Sequence, residues 1–169
     1  MEYERLSVEL FNTSIELATE LCERVESHIK DTIIYDPCAD LGNILEAAKS
    51  MGYEVKGGDC NPSPHAQVEQ KDLFDIDTSL DGYSIITIFR WGDFEGTTAE
   101  RMIRHLAALQ PNFIMTTKCP SRLKDISIDG YELVFHNIIS HDRYVRLEGG
   151  IIDTGRTYNA CGWKRIEPV

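Results

Sequence analysis

The chain has 169 residues, of which 42% are hydrophobic and 27% charged, and its formal net charge at pH 7 is -11. This length and composition predict a single globular domain, residues 1–169, with a sizeable core. No apolar run is long enough to span a bilayer, and the charged N-terminus is unlike a signal peptide. The five scattered cysteines lack paired metal-ligand spacing, which indicates reduced thiols, a cytoplasmic protein and no metal. The acidity opposes strong sequence-independent attraction to nucleic-acid phosphates, although a local basic patch or a partner subunit could supply the missing charge.

The first part of the chain, residues 1–30, is predicted to be an N-terminal helical segment, because apolar residues recur at helical spacing from Leu6 to Ile29. Polar residues at positions 12–14 interrupt this pattern. Thr13 or Ser14 could cap a second helix that runs from about residue 14 to residue 30.

From residue 33 onward, short β-favouring runs alternate with amphipathic helical patterns. The predicted strands cover 33–36, 53–58, 67–71, 83–89, 112–117, 131–139, 143–152 and 157–166, and the predicted helices cover 43–51 and 97–109. Such alternation predicts a Rossmann-like, doubly wound and mostly parallel α/β sheet. The region without helices, 131–169, is a β-rich tail and predicts an antiparallel hairpin at one edge of the sheet. Residues 33–130 form the predicted core.

A loop between the first strand of this core and its first helix is the segment around which we expect the fold to be organised. Ile33-Ile-Tyr35 is apolar, Asp36-Pro37 ends the strand, and Gly42 permits a turn. Asn43 is a plausible N-cap for a helix beginning at Ile44. Loops of this kind, at the carboxyl end of a parallel strand, are where open α/β sheets bind ligands.

Carboxylates follow the ends of three successive predicted strands, at Asp36, Asp59 and Asp72. In a nucleoside-binding α/β fold, an acidic residue at the end of the second strand is suited to accept hydrogen bonds from ribose hydroxyls. Groups after the third strand can meet an adenine amino group. The spacing therefore favours a nucleoside-containing ligand.

The segment Asp36-Pro-Cys-Ala-Asp-Leu-Gly-Asn43 resembles the cofactor loop of class I S-adenosylmethionine-dependent methyltransferases. It is most similar to that of the adenine-specific (amino-) DNA methyltransferases, which commonly reads acid-Pro-Cys-Ala-Gly-x-Gly. Three further segments are similar to the family in the same order: Asn12-Thr-Ser-Ile-Glu-Leu-Ala18, Gly58-Asp-Cys-Asn-Pro62 and Lys71-Asp-Leu-Phe74. The resemblance covers residues 12–117.

The resemblance implies a role for each matching residue toward S-adenosylmethionine. Asp36 would orient the methionine amino group, and Asp59 would hold the ribose. Asp72 and Leu73 would lie around the adenine. The residues that would shape the loop backbone against the cofactor are Pro37, Cys38, Ala39 and Gly42. Asp40 departs from the family, which usually has Gly at this position.

A second departure lies in the segment that follows the predicted strand 83–89. Amino-methyltransferases have Asp or Asn, two prolines and an aromatic residue there, which hold the target amine and stack on the flipped base. This chain has Ile88-Phe-Arg-Trp91, followed by Gly-Asp-Phe94. Trp91 keeps an aromatic residue, and Asp93 and Phe94 are candidate substitutes in a different order. These three are the candidate catalytic residues.

Two functions follow from the resemblance. The first is an S-adenosylmethionine-dependent methyltransferase that acts on nucleic acid, with an adenine amine in DNA as the favoured target. Its size and the lack of an insertion for target recognition fit a viral or mobile-element enzyme. The second is a catalytically inactive methyltransferase-like protein that acts as a cofactor-binding or protein-binding partner or inhibitor, alone or as a homo-oligomer.

Positive residues of the tail leave one further choice open. Arg143, Arg146, Arg156, Lys164 and Arg165 could form a strip that faces phosphates, or they could belong to an ordinary mixed surface.

Overall fold

The protein was analysed as a computed structural model, which describes residues 12–89, 97–119, 121–139, 143–145, 151–153 and 158–167. Three α-helices lie in this part of the chain: α1 (Ile15–Ile29), α2 (Asn43–Ser50) and α3 (Thr97–Ala108). The strands are β1 (Asn12–Thr13), β2 (Ile33–Asp36), β3 (Val55–Asp59), β4 (Val68–Gln70), β5 (Tyr83–Ile88), β6 (Phe113–Cys119), β7 (Tyr131–Ile139), β8 (Arg143–Val145), β9 (Ile151–Asp153) and β10 (Tyr158–Arg165). Short 3-10 helices cover Leu73–Asp75 and Ser121–Asp125.

Seven of these strands form one sheet in the order β4-β3-β2-β5-β6-β10-β7. The first five strands in that order are parallel, and β10 lies antiparallel between β6 and β7. The predicted mostly parallel doubly wound sheet is therefore confirmed. Its antiparallel edge consists of β7 and β10, which are far apart in the chain.

Two hydrophobic clusters cover the opposite faces of this sheet. Successive residues of β5 show the division, because Ile85 and Ile86 belong to different clusters and side chains alternate across a strand. One cluster is built with α1 and α2, which pack against each other. The other contains buried residues of α3 and of the two 3-10 helices. Both clusters are completed by residues of β10, namely Ala160 and Trp163.

The helix ends show how the local sequence fixes the elements next to the loop. Ser14 caps α1, with its Oγ accepting a hydrogen bond from the Leu17 N–H at 3.2 Å, as one of the two expected caps. The expectation that Asn43 caps α2 is wrong. Gly42 occupies the N-cap position in a left-handed conformation at φ +80°, and the Asn43 side chain instead donates to the Thr13 carbonyl oxygen at 2.6 Å.

The β-rich tail departs from the expected single strand over 143–152. The structure has two short strands there, β8 and β9, which pair with each other antiparallel. They form a separate three-stranded sheet with β1, in which Thr13 lies opposite Tyr144. The chain between β7 and β10 therefore forms strands that join β1, the segment that precedes α1, in one sheet.

Of the five positive residues in the tail, Arg146 and Arg156 lie outside the described residues. Arg143 lies in β8 of the small sheet. Arg165, on β10, lies opposite the first residue of β7, and its side chain pairs with Asp81, which precedes β5. Lys164 is its neighbour on β10. Arg165 is thus paired with an acidic side chain, as the mixed-surface interpretation expects for it.

Candidate functional site

The loop after β2 and the end of β3 lie side by side at the carboxyl edge of the parallel sheet. The Asp59 carboxylate joins them, because its Oδ2 accepts a hydrogen bond from the Asp40 N–H at 3.0 Å. Its Oδ1 accepts one from the Asn61 N–H at 2.8 Å. A main-chain bond from Ala39 N to Gly58 O, at 2.9 Å, adds to the connection. Two of the predicted cofactor residues, Asp59 and Ala39, are therefore brought together by the fold.

Asp36 is the most deeply buried carboxyl group of the site, with 1% of its surface exposed. Its Oδ1 accepts hydrogen bonds from the Thr87 hydroxyl at 2.6 Å and from the Cys38 N–H at 3.0 Å. Burial raises the pKa of Asp36 to about 7, even though these two hydrogen bonds favour the charged form. The nearby Asp59 carboxylate raises the pKa further.

Cys38 is a protonated thiol in this environment. Burial raises the pKa of the Cys38 thiol, and the carboxylates of Asp36 and Asp59 add to the rise. Its main-chain N–H positions the Asp36 carboxyl group. Cys38 therefore shapes the loop and is not an activated nucleophile.

Asp40, at the position where the resembling loop usually has Gly, adopts a left-handed backbone conformation. Its φ is +49°, in the left-handed region that Asp tolerates better than most residues. Its N–H is held by Asp59, and its carbonyl oxygen accepts a hydrogen bond from the Ser63 hydroxyl. The Asp40 residue borders the pocket, while its main chain is held by Asp59 and Ser63.

Gly42 is required by two features of the structure. Its φ is +80°, and a Cβ atom built there would lie 2.4 Å from Cδ2 of His65. The His65 imidazole also forms a hydrogen bond through Nε2 to Glu46 Oε1 at 2.8 Å, while its Nδ1 accepts from the Gln67 N–H at 3.2 Å. His65 therefore fastens the segment after β3 to the loop and to the start of α2.

A small pocket opens at this edge, beside the loop. Its walls include Asp36, Cys38, Asp40, Asn43, Thr13 and Ile88. Because Thr13 pairs with Tyr144, the small three-stranded sheet borders the same pocket. The pocket joins the three segments that the sequence placed around a ligand: the residues before α1, the loop after β2 and the end of β5.

Asp72 and Leu73 are placed differently from the loop residues. Asp72 caps the 3-10 helix, with its Oδ1 accepting from the Phe74 N–H at 2.8 Å, and the Leu73 side chain is buried in the core. The Lys71 N–H donates to the Asp59 carbonyl oxygen at 2.8 Å, which keeps this segment beside the end of β3. Any contact of Leu73 with a ligand would therefore have to use its main chain.

The three candidate catalytic residues, Trp91, Asp93 and Phe94, lie outside the described residues. The described chain reaches Phe89, one residue after β5 ends at Ile88. Within the described residues, no group of three or more His, Cys, Asp or Glu side chains could hold a metal ion. Nor does any helix in those ranges have the length and apolar character needed to cross a membrane.

Thr87, Ser63 and His65 shape the site, although the sequence did not single them out. Thr87 had a usable signal, since it is polar within the apolar run Ile85-Ile-Thr-Ile-Phe89, and a buried hydroxyl needs a partner. Ser63 and His65 lie in a polar loop with two prolines and gave no such signal.

Comparisons with known proteins bear on the fold. Neither a protein-family model nor a curated protein sequence matches the chain. Among solved structures, a candidate RNA methyltransferase from Pyrococcus horikoshii superposes with a TM-score of 0.70 at 15% identity, covering 96% of this chain and 90% of that one. The Synechocystis magnesium protoporphyrin IX methyltransferase with bound S-adenosylmethionine gives 0.63 at 12% identity, over 90% and 79% of the two chains. TrmN from Thermus thermophilus gives 0.65 at 18% identity, over 90% of this chain and 49% of that one.

These similarities, together with the strand order, show that the chain has the Rossmann-like fold of class I S-adenosylmethionine-dependent methyltransferases.

Proposed function

We propose that this protein is an S-adenosylmethionine-dependent methyltransferase that acts on nucleic acid, with an adenine amine in DNA as its target. The observation that carries the proposal is the joint placement of the buried Asp36 carboxyl group and the Asp59-bound loop at the carboxyl edge of a methyltransferase fold. The resemblance of residues 36–43 to the loop of adenine-specific enzymes supports the choice of acceptor.

The residues present fit such a cofactor. Both described hydrogen bonds to the Asp36 carboxyl group go to Oδ1, and the residue also borders the pocket, where a cationic ammonium group would favour its ionised form. Each oxygen of Asp59 accepts one main-chain N–H, and a carboxylate oxygen can accept a second donor such as a ribose hydroxyl. When bound, S-adenosylmethionine supplies a methyl group on a positively charged sulfonium.

The chain's own contribution to methyl transfer is positioning and charge. Methyl transfer needs an in-line approach, and a fixed loop lowers the entropic cost of reaching it. Asp59, Ser63 and His65 fix the loop, and Thr87 fixes the Asp36 carboxyl group. We assign the holding of the target base to Trp91, Asp93 and Phe94, which follow β5 directly in the chain.

Calorimetric titration with S-adenosylmethionine and S-adenosylhomocysteine tests the cofactor assignment. We expect Asp59→Ala to weaken both affinities at least about tenfold, which corresponds to about 1.4 kcal/mol. Asp129→Ala, an exposed aspartate beside Gly130 at the start of β7, is the matched control and should bind as the unaltered chain does.

Because Asp59 also holds the loop, a second ligand separates its two roles. The 2′-deoxy analogue of S-adenosylhomocysteine should bind the unaltered chain more weakly than the parent compound. Asp59→Ala should bind the two compounds equally. Equal binding of both compounds by the unaltered chain would show that the ribose assignment is wrong.

Transfer of a tritiated methyl group to adenine-containing DNA then tests the activity. We expect incorporation that depends on Trp91 and Asp93. In the reaction the sulfur–carbon bond breaks, a nitrogen–carbon bond forms, and the amine loses one proton.

A second candidate function is a catalytically inactive partner protein or inhibitor that keeps the cofactor site. Ile88 favours it, because this residue borders the pocket beside Asp36 at the end of β5, where the resembling enzymes place a hydrogen-bonding side chain nearby. Cofactor binding without transfer to DNA, RNA or protein would support this function over the first.

A further inference from the structure

We propose that an arginine surface beside the site binds the phosphate backbone of single-stranded DNA. This arginine surface consists of Phe74, Arg101, Arg104 and Arg122. It deepens the proposed function and rests on it, since it supplies the contact with the polymer that carries the target base.

Phe74 and Arg101 form the part of the arginine surface that suits an unstacked base. Phe74 is a large hydrophobic residue with 40% of its surface exposed. The Arg101 guanidinium lies 5.4 Å from the centre of its ring, and His105 contacts the same ring edge-on at 5.5 Å. An exposed aromatic ring next to guanidinium groups is typical of surfaces that bind single-stranded nucleic acid, where bases stack on the ring.

Arg104 and Arg122 add, to the guanidinium group of Arg101, two more that suit phosphates. Glu100 holds both: its Oε1 accepts from Arg104 Nη2 at 2.8 Å, and its Oε2 accepts from Arg122 Nη1 at 2.9 Å. These hydrogen bonds lower the pKa of Glu100, so it stays ionised and fixes the two guanidinium groups side by side. Their side chains remain 48% and 45% exposed.

The charges of the arginine surface contrast with those of the chain. Three guanidinium groups lie together here with Glu100, Asp72 and Asp75, whereas the whole chain carries a formal net charge of -11. A polyanion meets repulsion over most of this protein, so a surface that gathers three guanidinium groups is where it can approach.

The arginine surface also lies near the edge of the sheet that carries the candidate site. Phe74 follows β4 and Arg122 follows β6, and both strands run parallel to β2 and end at the edge of the sheet that carries Asp36. Arg101 lies in the second turn of α3, which begins directly after residues 90–96. That segment contains the residues assigned to the target base.

Fluorescence anisotropy with a labelled adenine-containing single-stranded DNA, measured over a series of salt concentrations, tests the proposal. Three phosphate contacts predict a slope of about -2 in log affinity against log salt. Arg101→Gln and Arg122→Gln should each weaken binding about tenfold at low salt and reduce the slope by about 0.7. Phe74→Leu should weaken binding without changing the slope, because it removes stacking and no charge.

Arg24→Gln is the matched control. Arg24 pairs with Glu20 one helical turn away, as Arg104 does with Glu100, but it lies on α1 against the other face of the sheet. It should leave DNA affinity unchanged. Equal losses in Arg24→Gln and Arg122→Gln would overturn the proposal, and so would tighter binding of RNA than of DNA of the same sequence.

S-adenosylmethionine affinity, measured on the same variants, separates this proposal from the proposed function. Loss of DNA binding with unchanged cofactor affinity supports the arginine surface. Cofactor binding and DNA methylation that persist in Arg101→Gln and Arg122→Gln at unaltered KM for DNA would refute the arginine surface and leave the methyltransferase assignment standing.

Discussion

The Asp36 side chain is buried and also ionisable, and burial of its charged form is unfavourable in the free energy of folding. Removing a carboxylate from water is unfavourable, and the Thr87 hydroxyl and the Cys38 N–H offset only part of this cost. The pKa of about 7 means that the group changes charge near neutral pH. A cationic ligand beside it would favour the ionised form, so its burial links ligand binding to proton release.

The pH dependence of stability should reveal this carboxyl group. Its pKa in the folded chain lies above its ordinary value of 3.8, so the native state binds more protons than the unfolded state between pH 4 and 7. Its contribution to the free energy of unfolding is therefore greatest below about pH 4 and is lost as the pH rises toward 7. Asp36→Asn cannot titrate and should gain stability relative to the unaltered chain between pH 5 and pH 8.

Urea unfolding of both proteins at the two pH values measures this difference. Asp129→Asn, an exposed change, should show no such gain. A stability difference between Asp36→Asn and the unaltered chain that is the same at pH 5 and pH 8 would contradict the assigned pKa.

At the scale of elements, the loop after β2 is held by its neighbours on both sides. Asp59 at the end of β3 binds its main chain, and His65 packs on Gly42 and binds Glu46 in the first turn of α2. Such a loop keeps its shape without a ligand, which lowers the entropic cost of binding one. The candidate site is therefore built largely before any ligand arrives.

Gly42→Ala should test how strongly His65 constrains the loop. The left-handed conformation alone costs roughly 1 to 2 kcal/mol for a residue with a Cβ atom, and the contact with His65 adds a further cost. Gly82→Ala isolates the first cost, because Gly82 has φ +83° and open space around it. We expect Gly42→Ala to lower the free energy of unfolding by at least about 1 kcal/mol more than Gly82→Ala.

Denaturant unfolding measures the free energy of unfolding of both variants. The same comparison is then made in a chain that also carries His65→Ala. The excess cost of Gly42→Ala should largely vanish when His65 is also alanine. An excess that persists in the double variant would place the strain elsewhere than at the imidazole.

Elements defined by local chemistry were predictable from the sequence. The helical period and the Ser14 cap fix α1, and the apolar run 83–89 fixes β5. The cap of α2 could not be predicted from residue type alone, because the N-cap position has a left-handed backbone that Gly42 adopts readily, and the Asn43 amide donates to the distant Thr13. The split of 143–152 into β8 and β9 is not visible in the local sequence, since β8 pairs on one side with β9 and on the other with the distant β1.

The candidate site was likewise predictable only where local sequence and spacing determine it. Asp36 and Asp59 could be placed at strand ends from order and spacing, because parallel strands deliver their carboxyl ends to one edge. The hydrogen bond between Thr87 and Asp36 spans 51 positions of the chain, and the one between His65 and Glu46 spans 19. No local sequence pattern specifies such pairs. The arginine surface has the same origin, since Phe74, Arg101 and Arg122 come from three separate segments.

For the whole molecule, the acidic net charge is compatible with the proposed nucleic-acid substrate because the charges are unevenly distributed over the surface. The arginine surface is placed next to the edge that carries the loop, and Arg165 at the opposite end is neutralised by Asp81. Acidity elsewhere would then orient a polyanion toward the site by repulsion.

Ligand binding should stabilise the whole domain, because the loop and the sheet form one structure. S-adenosylhomocysteine at one hundred times its dissociation constant should add about 2.7 kcal/mol to the free energy of unfolding. For a chain of this size, that corresponds to a rise in Tm of roughly 5 to 10 °C. Differential scanning calorimetry measures the shift in Tm. Homocysteine, which lacks the adenosyl group, serves as the control. An unchanged Tm at millimolar S-adenosylhomocysteine would contradict the cofactor assignment.

The place of β10 between β6 and β7 has a consequence for biosynthesis. On the ribosome, β7 is synthesised before β10, its only described sheet neighbour, and β6 has one unpaired edge until residues 158–165 follow. During that interval the nascent chain exposes two open strand edges and the apolar surfaces that Ala160 and Trp163 later cover. Open edges of this kind invite pairing with other chains, so this is the stage of synthesis at which protection by a chaperone would matter most.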